Sequence, residues 1–188
     1  SAAKLRKKRF ASGAISFERP EMKVEVDEKG RPVNVYQKVT KEANWLIEEF
    51  MLLANRCVAE FVAAKCKKTF VYRVHDEPNQ EKVEALRNFI GNFGYRMGPT
   101  GNGKEISKEL NALFAAAKDT PEYNAIELLS LRTMAKARYD IENLGHYGLA
   151  FKYYTHFTSP IRRYPDMLVH RLLARYLEGG ESAKAETY

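Results

Sequence analysis

The stretch THFTSPIRRYPDMLVHRLL, residues 155–173, places Arg162 and Arg163 directly after the pair Ser159-Pro160. The serine is suited to cap a helix and the proline to occupy its first turn, and apolar residues then recur at helical spacing. This pattern predicts a final helix beginning at the pair, although Pro165 follows so soon that the helix is expected to kink there or to begin afresh. Cations are disfavoured in the first turn of a helix, because its free N–H groups already make that end positive.

Two explanations of the arginine pair remain open on this stretch alone. A bound anion would use the free N–H groups at the helix start together with an arginine fork, which is the chemistry of a phosphate site. Alternatively, Arg162 and Arg163 pair with carboxylates such as Asp166, or they point into water. The rest of the chain has to decide between these explanations.

Composition limits the class of protein. The chain has 188 residues, of which 45% are hydrophobic, so it fits one domain of ordinary size or a piece of a larger one, and disorder is disfavoured. Its formal net charge of +7 favours a polyanionic partner. The apolar runs are short and interrupted by charge, and the basic start lacks the apolar core of a signal peptide. We therefore expect a cytoplasmic protein without a membrane span.

The order of patterns along the chain predicts an α+β fold. MKVEV and RPVNVYQKV flank a turn at Gly30 and predict a β-hairpin, and a short strand is predicted in TFVYRVH. The helix predicted at 41–65 is apolar on more than one side, so we expect it to be largely buried. The basic lead at 4–9 is predicted to be a solvated helix end or linker. Further predictions are helices near 81–92, 106–117 and 123–137, strand and loop at 137–157, and a frayed tail at 179–188.

The sequence shows no complete catalytic centre. Cys57 and Cys66 lie nine residues apart on a predicted helix, on opposite faces, and are expected to be reduced structural thiols. The four histidines lack the spacing of zinc ligands. The aspartates are also widely separated, whereas magnesium-dependent hydrolysis of phosphodiesters needs clustered carboxylates. They are Asp27, Asp76, Asp119, Asp140 and Asp166.

Two further positions are candidates for ligand contacts. Glu48 shares one helix face with Asn44 and Asn55, and such a polar stripe on an apolar helix needs partners. Either the stripe caps neighbouring loops, or Glu48 accepts hydrogen bonds from a hydroxyl-bearing ligand such as an RNA ribose. Phe17 precedes the hairpin and is less obviously a core residue than the other aromatics, so it is a candidate to stack on a base.

Several stretches together resemble the ribonuclease II and ribonuclease R family of exoribonucleases, in the second half of its RNB catalytic domain. The most specific is YTHFTSPIRRYPDMLVHRLL, preceded by NLGHYGLAF, and GAISF and RRYPD are closer to ribonuclease R than to ribonuclease II. The similarity extends through SLRTMAKARY, VYRVHDEP and LIEEFMLLANRCVA, and it covers nearly the whole chain. The implied fold is a partial RNB domain in which a hairpin or mixed sheet packs with several helices.

The resemblance implies processive hydrolysis of single-stranded RNA from the 3′ end to nucleoside 5′-monophosphates, with Mg²⁺ as cofactor. It implies that Arg162 contacts the phosphate at the cleavage centre, Glu48 the terminal nucleotides and their ribose, and Phe17 the 3′-terminal base. Arg163 is expected to contact a neighbouring phosphate or a structural carboxylate, and the structural role is favoured.

The resemblance also implies that functional parts of the family lie outside this chain. Its magnesium-binding aspartates, in a D-x-x-x-x-x-D-D-A type motif, and its cold-shock and S1 domains are not found in residues 1–188. We therefore expect the C-terminal portion of one RNB domain, inactive alone, with the missing N-terminal half as its partner. The alternatives are a non-catalytic RNA-binding or regulatory relative without the metal site, and a structural helical domain whose basic surface is incidental.

Overall fold

The computed structural model of the protein describes residues 2–17, 21–38, 41–98 and 100–187. In this part of the chain, six α-helices occur with two small antiparallel sheets, which confirms the α+β class. The α-helices are α1 Ala2–Ala11, α2 Glu42–Glu60, α3 Gln80–Gly91, α4 Gly103–Ala117, α5 Tyr123–Thr133 and α6 Tyr164–Leu177. The strands are β1 Glu21–Val26, β2 Pro32–Lys38, β3 Tyr72–Val74 and β4 Arg138–Asp140. A π-helical turn, Phe61–Cys66, continues α2, and short 3₁₀ turns occur at Tyr147–Leu149 and Ala185–Thr187.

The predicted hairpin is confirmed by the antiparallel pairing of β1 with β2, in which Val24 lies opposite Val35. Its turn is held by the Asp27 carboxylate, which accepts the backbone N–H groups of Lys29 at 2.9 Å and Arg31 at 2.8 Å. Gly30 has a φ of +75°, a conformation that glycine adopts without steric cost. The turn therefore lies where the sequence predicted it, and the pairing shifts register beside it, between Glu25 and Val26.

β3 and β4 form a second antiparallel ribbon, with Arg73 opposite Tyr139. The strands of the described residues thus pair as two separate two-stranded sheets. The second ribbon confirms the strand predicted in TFVYRVH and places a strand at the start of the segment 137–157, which otherwise forms turns and loops.

The buried apolar side chains form two clusters. One joins α3, α4 and α5 with the segment that follows α1, and its buried members are Ile15, Val83, Leu86, Ile90, Met97, Ile106, Leu110, Leu113, Phe114, Ala117 and Ile126. The other joins the end of α2, the β3 region and α6, and its buried members are Ala59, Val62, Phe70, Val71, Tyr72, Val74, Val169, Leu172, Tyr176 and Ala183. The second cluster is the one that positions the candidate site.

The last helix does not begin at Ser159. Residues 160–162 form a turn in which the Ser159 carbonyl accepts the N–H groups of Arg162 at 3.3 Å and Arg163 at 3.0 Å. The helix then begins at Tyr164, with Pro165 in its first turn. A proline further inside the helix would clash with the carbonyl four residues earlier, so the chain begins its helix afresh at the proline.

The prediction that α2 is largely buried is wrong for its first half. Its buried residues are Glu49, Asn55 and Ala59, whereas five large apolar side chains of the first half are exposed. They are Trp45 at 36%, Leu46 at 44%, Ile47 at 55%, Phe50 at 50% and Met51 at 44% of their surface. Apolar periodicity reports which residues would tolerate burial, and it does not report whether a neighbouring element covers them.

The basic lead also differs from its prediction. It forms the helix α1, one of the two predicted alternatives, but it is not solvated throughout, because a buried ion pair between Arg9 and Glu49 packs it on α2. The Arg9 Nε donates to Glu49 Oε1 at 3.1 Å, and Nη2 donates to the same oxygen at 2.5 Å. A buried charge without a partner costs several kcal/mol, so this pair constrains how α1 can sit on α2.

The tail is not frayed over its whole length. Thr69 donates its N–H to the Ser182 hydroxyl at 3.0 Å, and Lys68 donates to the Gly180 carbonyl at 2.6 Å. Ala183 is buried in the second cluster, and its N–H donates to the Tyr176 hydroxyl at 3.2 Å. These contacts fasten residues 180–183 beside β3.

Replacing Arg9 with methionine is expected to lower the free energy of unfolding by up to about 3–5 kcal/mol, because the buried Glu49 carboxylate would keep, among the described residues, only the more distant Arg6, 4.0 Å away, as a partner. The combined Arg9→Met and Glu49→Leu variant should recover much of this loss. Urea unfolding of the three proteins measures the effect. Lys7→Met, on an exposed position of the same helix, is the control. Equal shifts for Arg9→Met and Lys7→Met would contradict the prediction.

Candidate nucleic-acid interface

The two arginines lie in an irregular segment, residues 154–163, which we call the arginine loop. Its beginning is attached to the β3 region by two hydrogen bonds. The N–H of Arg73 donates to the Tyr154 carbonyl at 2.9 Å, and the Thr155 hydroxyl donates to the Val71 carbonyl at 2.6 Å. The first two residues of the loop are therefore fixed relative to the second core cluster.

Asn55 of α2 holds the middle of the arginine loop. Its Oδ1 accepts the backbone N–H groups of Phe157 at 2.9 Å and Thr158 at 3.2 Å, and its Nδ2 donates to the Tyr154 hydroxyl at 3.2 Å. The Phe157 ring stacks on His170 of α6 with 4.0 Å between centroids. Two helices therefore fix a segment that has no regular backbone pairing of its own.

Asp166 holds the end of the loop. This residue is fully buried in the first turn of α6, where a carboxylate is favoured by the helix dipole. Its Oδ1 accepts the Ser159 N–H at 2.8 Å and the Arg163 guanidinium at 2.8 Å. Arg163 therefore has the structural partner that was favoured for it, and its contact with RNA stays a prediction.

Arg162 differs from its neighbour because its side chain is exposed. In the described part of the chain, its guanidinium makes one hydrogen bond, to the Ser159 hydroxyl at 3.4 Å. Its backbone N–H is bonded to the Ser159 carbonyl. The loop thus fixes the backbone of Arg162 and leaves most of its guanidinium N–H groups available to an anion.

Glu48 lies at the surface of α2, with 48% of its side chain exposed, and accepts a hydrogen bond from Arg9 Nη2 at 3.3 Å. Asn44, on the same stripe, accepts the Lys41 N–H and so caps its own helix. The predicted stripe therefore divides into one helix cap, one exposed carboxylate and the loop anchor Asn55.

Phe17 packs beside the first core cluster, with its ring 5.4 Å from that of Phe114. The segment before it is fixed by Asn111, whose Nδ2 donates to the Ala14 carbonyl at 2.9 Å and whose Oδ1 accepts the Ser16 N–H at 3.2 Å. Phe17 is only partly buried. Stacking of this ring on a base stays a prediction.

The structure connects Glu48 with Arg162 through helix α2. Glu48 and Asn55 are seven residues apart on α2, which corresponds to about 10 Å along the helix axis, and Asn55 holds the loop of Arg162. Phe17 belongs to the other cluster, and α1 joins it to this arrangement through the contact of Arg9 with Glu48.

A comparison with protein families decides the class of this fold. A model of the RNB domain family matches residues 1–179. The chain belongs to the RNB domain family. It is similar to ribonuclease R of Aquifex aeolicus (strain VF5), with 42% identity over 180 residues that cover 94% of this chain and 25% of that protein. The chain therefore spans about a quarter of the length of this curated relative.

Solved structures agree with this assignment of the RNB domain. Mycoplasma genitalium RNase R in complex with ribose methylated single-stranded RNA matches with a TM-score of 0.83 and 32% identity, covering 94% of this chain and 27% of that one. Yeast Ssd1, described as a pseudonuclease, matches with a TM-score of 0.64 and 33% identity, covering 76% of this chain and 18% of that one. The resemblance stated from the sequence is thereby confirmed.

Several carboxylates of the described residues take part in structural contacts. Examples are those of Asp27 in the hairpin turn, Glu49 with Arg9 and Asp166 with Arg163. Within residues 2–17, 21–38, 41–98 and 100–187, no group of three or more His, Cys, Asp or Glu side chains is arranged to hold a metal ion. Cys57 and Cys66 are free thiols, as expected. None of the described helices is long and apolar enough to cross a membrane.

A cluster of histidines and aromatics lies beside the arginine loop. His156 Nδ1 is 2.8 Å from the Tyr139 hydroxyl, and Arg73 lies over the Tyr139 ring. Burial, followed by the positive charge of Arg163, lowers the pKa of His156 to about 4. Burial, followed by the charge of His75, lowers the pKa of His146 to about 3. Both imidazoles are therefore neutral near pH 7 and do not add to the positive charge of the arginines beside them.

Sequence reasoning missed the supporting residues of this site. Arg9 stands in a basic run, where a buried arginine looks the same as a solvated one. Asn55 was recognised as a polar residue that needs partners, but those partners are about a hundred positions further along the chain. The available signal was its place in a largely apolar helix that was predicted to be buried, since buried amides are nearly always hydrogen-bonded.

The free energy of unfolding is expected to fall as the pH is lowered from about 6.5 towards about 4. In this range the histidines of the unfolded chain, with the ordinary pKa of 6.5, bind protons that His146 and His156 of the folded chain do not bind. Each site contributes at most about 1.4 kcal/mol per pH unit, and the partly exposed His156 contributes less. Urea unfolding at several pH values measures the slope. His146→Phe should flatten it, and an unchanged slope in this variant would refute the assignment.

Proposed function

We propose that this chain forms an RNA-contacting part of a 3′-to-5′ exoribonuclease that hydrolyses single-stranded RNA processively to nucleoside 5′-monophosphates. Membership of the RNB family and similarity to ribonuclease R support this proposal. The observation that carries it is the exposed side chain of Arg162. This guanidinium is hydrogen-bonded to the Ser159 hydroxyl and is not paired with a carboxylate of the described residues. The proposed compartment is the cytoplasm.

Arg162 is proposed to contact the phosphate at the cleavage centre. Negative charge builds up on the phosphate oxygens during attack, and an arginine fixed beside them offsets that charge. Rigid attachment of the loop favours this role, because a donor that is already oriented loses little conformational freedom in the reaction. Arg163 is proposed to support the loop through Asp166.

Glu48 and Phe17 are proposed to contact the 3′-terminal nucleotides. The exposed part of the Glu48 carboxylate is suited to accept hydrogen bonds from ribose hydroxyls, while Arg9 limits its movement. Phe17 is proposed to stack on the terminal base, an interaction worth about 1–3 kcal/mol. The packing of Phe17 on Phe114 would keep the ring in a defined orientation.

The proposed enzyme needs more than this chain contains. Its magnesium ions are proposed to be bound by aspartates in the N-terminal half of the RNB domain, because the described residues offer no suitable group. The exposed apolar side chains of α2 and of the hairpin support the proposal that this half packs against them. On the hairpin they are Met22, Val24, Val26, Val33, Val35 and Tyr36.

A second candidate function is RNA binding or regulation without cleavage. It is favoured by the similarity to Ssd1, which is described as a pseudonuclease. The two candidates share the Arg162 contact and differ in whether RNA is hydrolysed when the whole RNB domain is present.

Arg162→Ala is expected to weaken the binding of single-stranded RNA by about tenfold, since a hydrogen bond to a charged group contributes about 1.5–3 kcal/mol. The plot of log affinity against log salt concentration should lose about 0.7 of slope, which is the value for one phosphate contact on a single strand. Fluorescence anisotropy with a labelled oligonucleotide, between about 50 and 200 mM salt, measures both quantities.

The matched control for this experiment is Arg132→Ala, which removes one positive charge from an exposed position on α5. It should reduce affinity less than Arg162→Ala does. Equal effects of the two substitutions would indicate that the basic surface acts only through its total charge, and no effect of either would favour a purely structural domain.

The isolated chain is expected to leave RNA intact in the presence of magnesium. A chimera in which this chain replaces the matching 180 residues of Aquifex aeolicus ribonuclease R should release nucleoside 5′-monophosphates. Arg162→Ala in the chimera should reduce the rate by about 10²–10³, because a charge-stabilising group at the phosphate is lost. Chromatography of the products measures the result, and Arg132→Ala is again the control. Hydrolysis by the isolated chain would contradict the proposed division of the domain, and an inactive but folded chimera would favour the non-catalytic function.

A further inference from the structure

The contact of α2 with the arginine loop suggests a role for Asn55. We infer that Asn55 is a positioning residue, which holds the arginine loop in the conformation that presents Arg162 to an RNA phosphate. The inference rests on the proposed phosphate contact of Arg162. Asn55 itself touches the backbone of the loop rather than a position where RNA is proposed to lie.

An amide is well suited to position 55. The single oxygen Oδ1 accepts two successive N–H groups, of Phe157 and Thr158, and Nδ2 donates at the same time to the Tyr154 hydroxyl. No aliphatic side chain can accept and donate in this way. Because Asn55 is buried, its loss would leave these polar groups of the loop without their partner, and the loop would have to move to satisfy them.

The constraint reaches Arg162 through Ser159. Asn55 fixes Phe157 and Thr158, and the next residue, Ser159, accepts the Arg162 N–H with its carbonyl at 3.3 Å and a guanidinium hydrogen bond with its hydroxyl at 3.4 Å. Displacement of residues 157–158 therefore displaces the group that orients Arg162. Asp166 also restrains Ser159, by accepting its backbone N–H. This contact does not replace the two hydrogen bonds that Asn55 accepts from residues 157 and 158.

Asn55 also sets the distance between two proposed RNA contacts. It lies on the same helix face as Glu48, about 10 Å away along the axis, and it contacts the loop of Arg162 directly. A ligand that contacts both Glu48 and Arg162 needs this spacing to be constant. Asn55 is thus the connection between the helix that carries the carboxylate and the loop that carries the arginine.

The first test measures the loop without RNA. In Asn55→Ala, amide hydrogen exchange of Phe157 and Thr158 should accelerate by at least about tenfold, as expected from loss of a buried hydrogen bond. NMR of the ¹⁵N-labelled chain resolves these amides, and amides of α4 report global stability. Asn143→Ala is the matched control, because Asn143 anchors a different loop by donating to the Lys152 carbonyl and accepting the Gly145 N–H.

The second test is a double-mutant cycle for RNA binding with Asn55→Ala and Arg162→Ala. If Asn55 acts through Arg162, its substitution weakens binding by about tenfold in the native background and causes little further loss beside Arg162→Ala. Asn143→Ala should show no such coupling. Asn55→Asp keeps an acceptor oxygen in either protonation state. This variant should therefore retain the slow exchange of both amides and the part of the RNA affinity that depends on Arg162. It tests the inference even if the alanine variant folds poorly.

The outcomes separate this inference from the proposed function. Unchanged exchange at residues 157 and 158, or losses of affinity that simply add, would overturn the role of Asn55 while the phosphate contact of Arg162 stands. Native affinity in Arg162→Ala would overturn the phosphate contact, and with it the positioning role, even when Asn55→Ala accelerates exchange. Accelerated exchange together with non-additive losses supports both.

Discussion

Residues 154–163 form neither a helix nor a strand. Their backbone N–H and C=O groups therefore need hydrogen-bond partners from other parts of the protein. The partners come from the β3 region, from Asn55 of α2, and from Asp166 of α6. An irregular segment is well ordered when side chains supply the hydrogen bonds that a regular ladder would provide. As a result, the positions of α2 and α6 relative to β3 are coupled to the conformation of the arginine loop.

Which arginines are available to bind an anion depends on their individual partners rather than on the net charge of the chain. Arg9 is buried against Glu49, and Arg163 is paired with a fully buried aspartate. A buried carboxylate left unpaired would be costly, so these two arginines are committed to the fold. Arg162, one position away from Arg163, is exposed and oriented by a serine rather than by an acid. It keeps its full charge available for an anion.

The sequence predicted elements whose signals are local, and it failed where the deciding partner is distant. The hairpin followed from alternating valines around Gly30, and α2 from its period. The exposure of α2 was missed because periodicity does not identify a covering element. The start of α6 was ambiguous between two prolines, and the hydrogen bonds of Ser159 decided it. Helical spacing alone did not distinguish the adjacent arginines, because Asp166 is within reach of either on a helix. The family resemblance favoured a structural carboxylate for Arg163, and the turn at 160–162 does pair this arginine with Asp166.

The two regions that bear on function differ in how they are stabilised. The arginine loop is held by contacts within this chain, so the proposed phosphate contact of Arg162 rests on residues that the chain itself supplies. The hairpin, in contrast, is a two-stranded ribbon with exposed apolar residues, and such ribbons are marginally stable without a covering layer. The exposed half of α2 follows it directly in sequence. We therefore expect the proposed RNA contact of Arg162 to be measurable in the isolated chain, whereas the proposed contacts of Glu48 depend more on what covers the exposed half of α2 in the complete RNB domain.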